Sequence, residues 1–166
     1  TTSGYDSLVT DSANSASAYA TGHKSVNNAL GVYEDNTKDT LDDPKVENIV
    51  ELVKRARKMA TGLVSTADIT DATPAAFAAH TRRRSDQAFV AATYLEEGHR
   101  PDVIMGGGSR WFLPKAQQGA SLDDRDLVAE FRAAGYAVAA TRAEMKAASA
   151  SASKILGLFH TGNMSV

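Results

Sequence analysis

The chain has 166 residues, of which 43% are apolar and 23% charged; 18 basic against 20 acidic residues leave a formal net charge of −2. That length is enough for one domain with a sizeable core, and the near balance of charge gives no general pull toward nucleic acid or a membrane surface. Cysteine is absent, which excludes disulfides, thiolate zinc sites and thiol catalysis, and no apolar run is long enough to span a bilayer.

The opening Thr-Thr-Ser-Gly-Tyr-Asp has no initiator methionine and no signal-peptide pattern, as expected of a processed or truncated chain. Residues 7–10 (Ser-Leu-Val-Thr) read as a short strand, followed by a small-residue helix over 12–20. The Asp-, Asn- and Thr-rich stretch 33–43 reads as a loop. Pro44 is placed at a helix start, with Val46, Ile49, Val50 and Val53 as the apolar stripe and Lys54, Arg55, Arg57 and Lys58 loading the last turns. Strands follow at 63–66 and 102–105, the latter running into Gly106-Gly107-Gly108. A helix over 126–134 ends at Gly135, and strands resume at 136–140 and 154–159, with the Ala/Ser stretch 147–153 as a surface connection. Strands separated by helices predict an α/β fold: one domain over 1–166 with a mostly parallel sheet and flanking helices, incomplete at its ends.

Two segments hold chemistry. In Thr10-Asp11-Ser12-Ala13-Asn14-Ser15-Ala16, a serine stands where the chain enters a helix. The orphan N–H groups and positive dipole end there favour a phosphate. The commoner role for Asp11 or Ser12 in that position is helix capping. In Asp71-Ala72-Thr73-Pro74, Thr73 and Pro74 fit an N-cap and first helical residue. Asp71 and Thr73 also present hard oxygen donors of the kind magnesium prefers. The glycines of Gly106-Gly107-Gly108-Ser109-Arg110 read as a turn after a strand rather than a phosphate cradle. His23, His80, His99 and His160 have no metal-ligand spacing and read as structural or exposed, and Trp111 and Phe112 as core or a surface patch.

Thr-Asp-Ser-Ala-x-Ser-Ala, Thr-Gly-x-Lys and Asn-x-Ala-Leu-Gly-Val resemble the nucleophile region of alkaline phosphatases. Val-Ser-Thr-Ala, Asp-Ala-Thr-Pro-Ala-Ala and the His80-x-x-x-Arg84 spacing are similar to that family's next block. So, further on, are residues 102–108, and 157–159 through 162–164. The matches are collinear and cover nearly the whole chain. The resemblance implies a three-layer α/β/α fold and hydrolysis of small phosphate monoesters through a phosphoserine, using two zinc ions and one magnesium. It makes Ser12 the nucleophile and a metal contact, Arg84 the clamp on phosphate oxygens, and Asp11 the partner orienting Arg84. Thr73 becomes a magnesium ligand, with Asp71 beside it acting through water. Position 71 is Asp or His in the family, and Asp resembles the bacterial type with magnesium. The remaining metal ligands of the family fall outside the matched blocks, so the chain is expected to be inactive alone. It is expected to be part of a larger catalytic domain from a periplasmic or secreted enzyme, with no dedicated nucleic-acid or membrane partner. The resemblance admits a homodimer at full length. The alternatives are a non-catalytic phosphate-binding α/β piece, or a sibling phosphodiesterase or sulfatase.

One geometric condition follows. A straight helix over 73–84 would separate Thr73 from Arg84 by about 16 Å along its axis. A shared site therefore requires the helix to stop near His80 and the chain to fold back.

Overall fold

The computed structural model describes residues 3–33, 35, 37, 39 and 42–165. Among the described residues four strands, β1 (Gly62–Asp68), β2 (Val103–Gly107), β3 (Ala137–Ala139) and β4 (Ile155–Leu158), form one sheet in the order β1-β2-β4-β3. All three pairings are parallel. Ile104 and Leu156 pair in register at the centre of the sheet, each fully buried. Strands covered on both faces are read from continuous apolar runs rather than from alternation, which is why β2 and β4 stand out in the sequence.

The helices are α1 (Ser12–Thr21), α2 (Ile49–Arg57), α3 (Ala72–Ala75), α4 (Gln87–Thr93), α5 (Leu127–Ala133) and α6 (Arg142–Ser149). The core joins sheet residues to Tyr94, Phe112, Phe131 and Tyr136. Phe131 meets Tyr136 edge-on at 4.9 Å between ring centroids, and the Tyr94 hydroxyl donates to the Ile69 carbonyl at 2.8 Å. Alanines 13 and 16 of α1 and 72, 75, 76, 78 and 79 around α3 share that core; their small side chains permit close helix approach. No helix among the described residues is long and apolar enough to cross a membrane.

Several expectations are corrected. Residues 7–10 form no strand: Leu8 and Val9 are 90% and 76% exposed, and the Ser7 hydroxyl accepts the Val9 N–H in a local turn. Pro44 does not start α2. The chain there is extended, with a bridge between Val32 and Lys45, and the helix begins beyond Asn48, whose side chain and that of Glu51 form a reciprocal capping box. The first helical residue after β1 is Ala72, capped by Asp71 rather than Thr73; Pro74 lies in the first turn, where its missing N–H has no intrahelical partner to lose. Part of 147–153 belongs to α6, and α4 appears where no helix was expected. The 33–43 loop lies partly outside the described residues.

Candidate active site

Asp11 adopts an extended conformation at the head of α1 and closes a capping box: its Oδ1 accepts the Asn14 N–H at 3.0 Å, and the Asn14 side chain accepts the Asp11 N–H at 3.1 Å. The second carboxylate oxygen faces away from the helix. It accepts the Asn28 N–H at 3.2 Å and Arg84 Nη1 at 3.3 Å. Capping and arginine contact are thus carried by the two oxygens of one residue. Ser12 is the first residue of α1 and is exposed at the helix N-terminus.

The condition on the 73–84 segment is met. α3 ends at Ala75, and Thr81 then pairs antiparallel with Leu30, turning the chain back toward α1. Arg84 donates its backbone N–H to the Asn28 carbonyl at 2.8 Å, which sets the root of its side chain. Its fork lies between two carboxylates, with Nη2 on Asp71 Oδ1 at 2.9 Å and Nη1 on Asp11. The Arg84 side chain is 27% exposed, so it is held and still reachable. Asp11, Ser12, Asp71 and Arg84 therefore share one region. Thr73 is exposed and lines a groove with Gly62, Leu63, Val64, Ser65, Pro74 and Phe77 rather than the recess that Asp71 faces.

That recess, about 350 Å³, is also lined by Asp68, Gln87, Arg110, Gly162 and Asn163. Asp68 is missing from the sequence reading. It ends β1, and the carboxyl ends of parallel strands are where α/β sheets place their ligands; that rule, applied to a lone acid closing an apolar run, is the signal that could have found it. Its Oδ2 accepts from Trp111 Nε1 at 2.9 Å and Arg110 Nη2 at 3.1 Å, while its buried Oδ1 has no hydrogen-bond partner among the described residues. Trp111 is thus a partner of this acid as well as a piece of the core boundary.

The family model for alkaline phosphatase matches residues 1–166. The chain belongs to the alkaline phosphatase family. It is 37% identical over 163 residues to alkaline phosphatase 4 of Bacillus subtilis, covering 96% of this chain and 32% of that protein. Against the alkaline phosphatase of Escherichia coli it is 36% identical over 182 residues, covering 98% and 37%. The fold superposes on the Thermus thermophilus alkaline phosphatase with a TM-score of 0.83 at 32% identity, covering 98% of this chain and 31% of that one. It superposes at 0.82 and 31% identity, covering 98% and 42%, on a TAB5 alkaline phosphatase variant in which a histidine was changed to aspartate, with Mg bound in the M3 site. The chain spans about a third of the length of the curated alkaline phosphatases it matches.

Asp71 offers a carboxylate oxygen of the kind magnesium takes, whereas the Thr73 hydroxyl belongs to the other groove. Both hydrogen bonds described for Asp71 fall on Oδ1, and its side chain is 40% exposed, so the other oxygen faces an open recess. Zinc is a different matter. Among the described residues, the groups of three or more acidic or histidine ligands that converge are Glu51, His80, His99 and Asp35, Asp42, Asp43, and neither includes a residue of the Ser12 region. These residues do not themselves build a zinc site beside Ser12.

Proposed function

We propose that this part of an alkaline phosphatase carries the nucleophile and phosphate clamp of a phosphomonoesterase. The observation that carries the reading is the Arg84 fork, fixed between Asp11 and Asp71 next to a serine at a helix N-terminus. Each terminal guanidinium nitrogen bears two N–H groups, so one carboxylate contact on each leaves the other for a phosphate oxygen. The helix end adds its partial positive charge toward the same anion.

In this reading Arg84 holds two non-bridging oxygens and orients the phosphorus toward Ser12 Oγ. The Oγ–P bond forms as the bond from phosphorus to the ester oxygen breaks. The alcohol departs with a proton, and the phosphoserine is then hydrolysed by water, returning Ser12 and inorganic phosphate. Asp11 acts through Arg84 and is a positioning residue. Asp71, whose second oxygen faces the recess, is the residue that would hold magnesium, which when bound would supply positive charge and ordered water near the transferring group. The family relation supports small phosphate monoesters as substrates and a periplasmic or secreted location.

The test is hydrolysis of a chromogenic phosphate monoester at alkaline pH, with zinc and magnesium present, by the complete gene product and its Ser12→Ala variant. The expected outcome is a loss of at least about 10³-fold, the scale seen when a nucleophile is removed. Phosphate should also be found on the Ser12 peptide of wild type by mass spectrometry. A fully active Ser12→Ala enzyme would overturn the assignment.

A further inference from the structure

Glu51 of α2, His80 beyond α3, and His99 between α4 and β2 come together in the interior, with one ligand atom from each within 4.8 Å of the others. The His80 side chain is 1% exposed and that of His99 10%. The spacings, 29 and 19 residues, resemble no short metal motif, so only the fold reveals the group.

The orientation of each donor is set. His80 Nδ1 donates to the Gly31 carbonyl at 2.6 Å, which fixes the ring and leaves Nε2 facing Glu51 Oε2, 3.1 Å away. Metal-bound histidines characteristically use their second nitrogen in this way. Glu51 Oε2 is itself fixed by the Asn48 N–H at 2.8 Å, through the capping box. His99 Nδ1 lies 2.9 Å from Glu51 Oε1 but off the axis a hydrogen bond needs, and this buried nitrogen has no hydrogen-bond partner among the described residues. Its Nε2 faces the Glu96 carboxylate at 3.7 Å.

A buried nitrogen aimed at a carboxylate without a hydrogen bond between them is costly if nothing lies there. An ion held by three donors sits off the lines that join them, as the misaligned His99 Nδ1–Glu51 Oε1 contact allows. Zinc ligands at about 2.0–2.1 Å in a tetrahedron stand about 3.3 Å apart, close to the separations of 2.9 and 3.1 Å. Two imidazoles and a carboxylate are a zinc donor set.

We propose that Glu51, His80 and His99 bind one divalent ion of the zinc class, in a site that shares no residue with the Ser12–Arg84 cluster. The ion would displace the 3.3 Å contact from Asn48 Nδ2 to His80 Nε2 and take a water as its fourth ligand. It would tie α2, the return segment after α3 and the loop before β2 into one unit.

The experiment is calorimetric titration of the metal-stripped complete gene product with zinc chloride, beside its His99→Ala variant. The expected result is that His99→Ala binds one zinc equivalent fewer than wild type, or binds that equivalent at least about tenfold more weakly, since a ligand should cost no less than the outer-shell partners that support it. Nitrogen-15 NMR of the histidine rings serves as the second readout, needing no further variant: zinc should shift His80 Nε2 and His99 Nδ1 and leave His23 and His160 in place. Absence of zinc binding, unmoved resonances for His80 and His99, or full binding by the folded His99→Ala chain would each overturn the site.

Discussion

Asp11 and Arg84 meet across 73 positions of sequence, carboxylate Oδ2 to Nη1 at 3.3 Å, while the other oxygen of Asp11 caps α1. The two duties separate under substitution. Asparagine keeps the cap through its amide oxygen, but its amide nitrogen cannot accept the Asn28 N–H, so Asp11→Asn should cost about 1 kcal/mol. It removes the carboxylate charge that orients the guanidinium, and affinity for inorganic phosphate should fall about tenfold. Asp11→Ala should lose the cap as well, about 1 kcal/mol more. Thermal melts and phosphate inhibition constants of the complete gene product separate these effects.

Arg84→Lys keeps the charge and discards the fork. A single ammonium cannot reproduce the paired contacts to Asp11 and Asp71 and still offer two N–H groups to phosphate. Hydrolysis in the complete gene product should drop by about 10- to 100-fold with little change in Tm, consistent with a charged bidentate pair reduced to a point charge. Wild-type kinetics for the lysine variant would show that charge alone suffices.

The Asp102 carboxylate accepts from Lys54 Nζ at 2.7 Å and the Thr61 N–H at 2.8 Å, joining α2 to the start of β2. Burial pushes its pKa up, but Lys54 and the Thr61 N–H outweigh that and hold it below the ordinary 3.8. A depressed folded value means the contribution is complete above the ordinary carboxylate range and is lost as pH falls through the folded value. Asp102→Asn should therefore cost about 1–2 kcal/mol near neutrality, and the gap to wild type should close on acidification. Urea melts at both extremes measure it; a gap that widens in acid would contradict the sign.

At Gly107 a Cβ would lie 2.1 Å from the backbone carbonyl oxygen of Gly162. Neither partner is a flexible side chain, so Gly107→Ala should cost about 2–3 kcal/mol. Gly98→Ala, where φ is +97° and nothing lies within 4 Å of the added carbon, is the control for backbone strain alone and should cost about 1–2 kcal/mol. Equal stabilities for the two variants would mean that the 160–164 segment moves aside freely.

The sheet was largely legible because buried parallel strands announce themselves as apolar runs between turns, as Val103-Ile104-Met105 does. Helix starts were less so. Pro44 and Thr73 carry strong start signals, yet Asn48 with Glu51, and Asp71 bonding the Ala72 N–H at 2.7 Å, satisfy more donors and win. α6 has no buried residue, hence no apolar stripe to read, and α4 has no side-chain cap. Within the candidate site, Asp11, Ser12, Asp71 and Arg84 were marked by motif. Asp68 was not, because a single acid at a strand end looks like a surface residue until its neighbours Arg110 and Trp111 are placed around it.

The peptide units of Asn27 and Asn28 join the two halves of the clamp. Asn28, at a positive φ of 67°, gives its N–H to Asp11 and its carbonyl to the Arg84 amide, while the Asn27 carbonyl accepts Arg82 Nη1 at 2.8 Å. The head of α1 and the arginine segment therefore share one short stretch of main chain and cannot drift apart separately. In hydrogen-exchange terms the amides of Asn14, Asn28 and Arg84 belong to a single opening unit, released together or not at all.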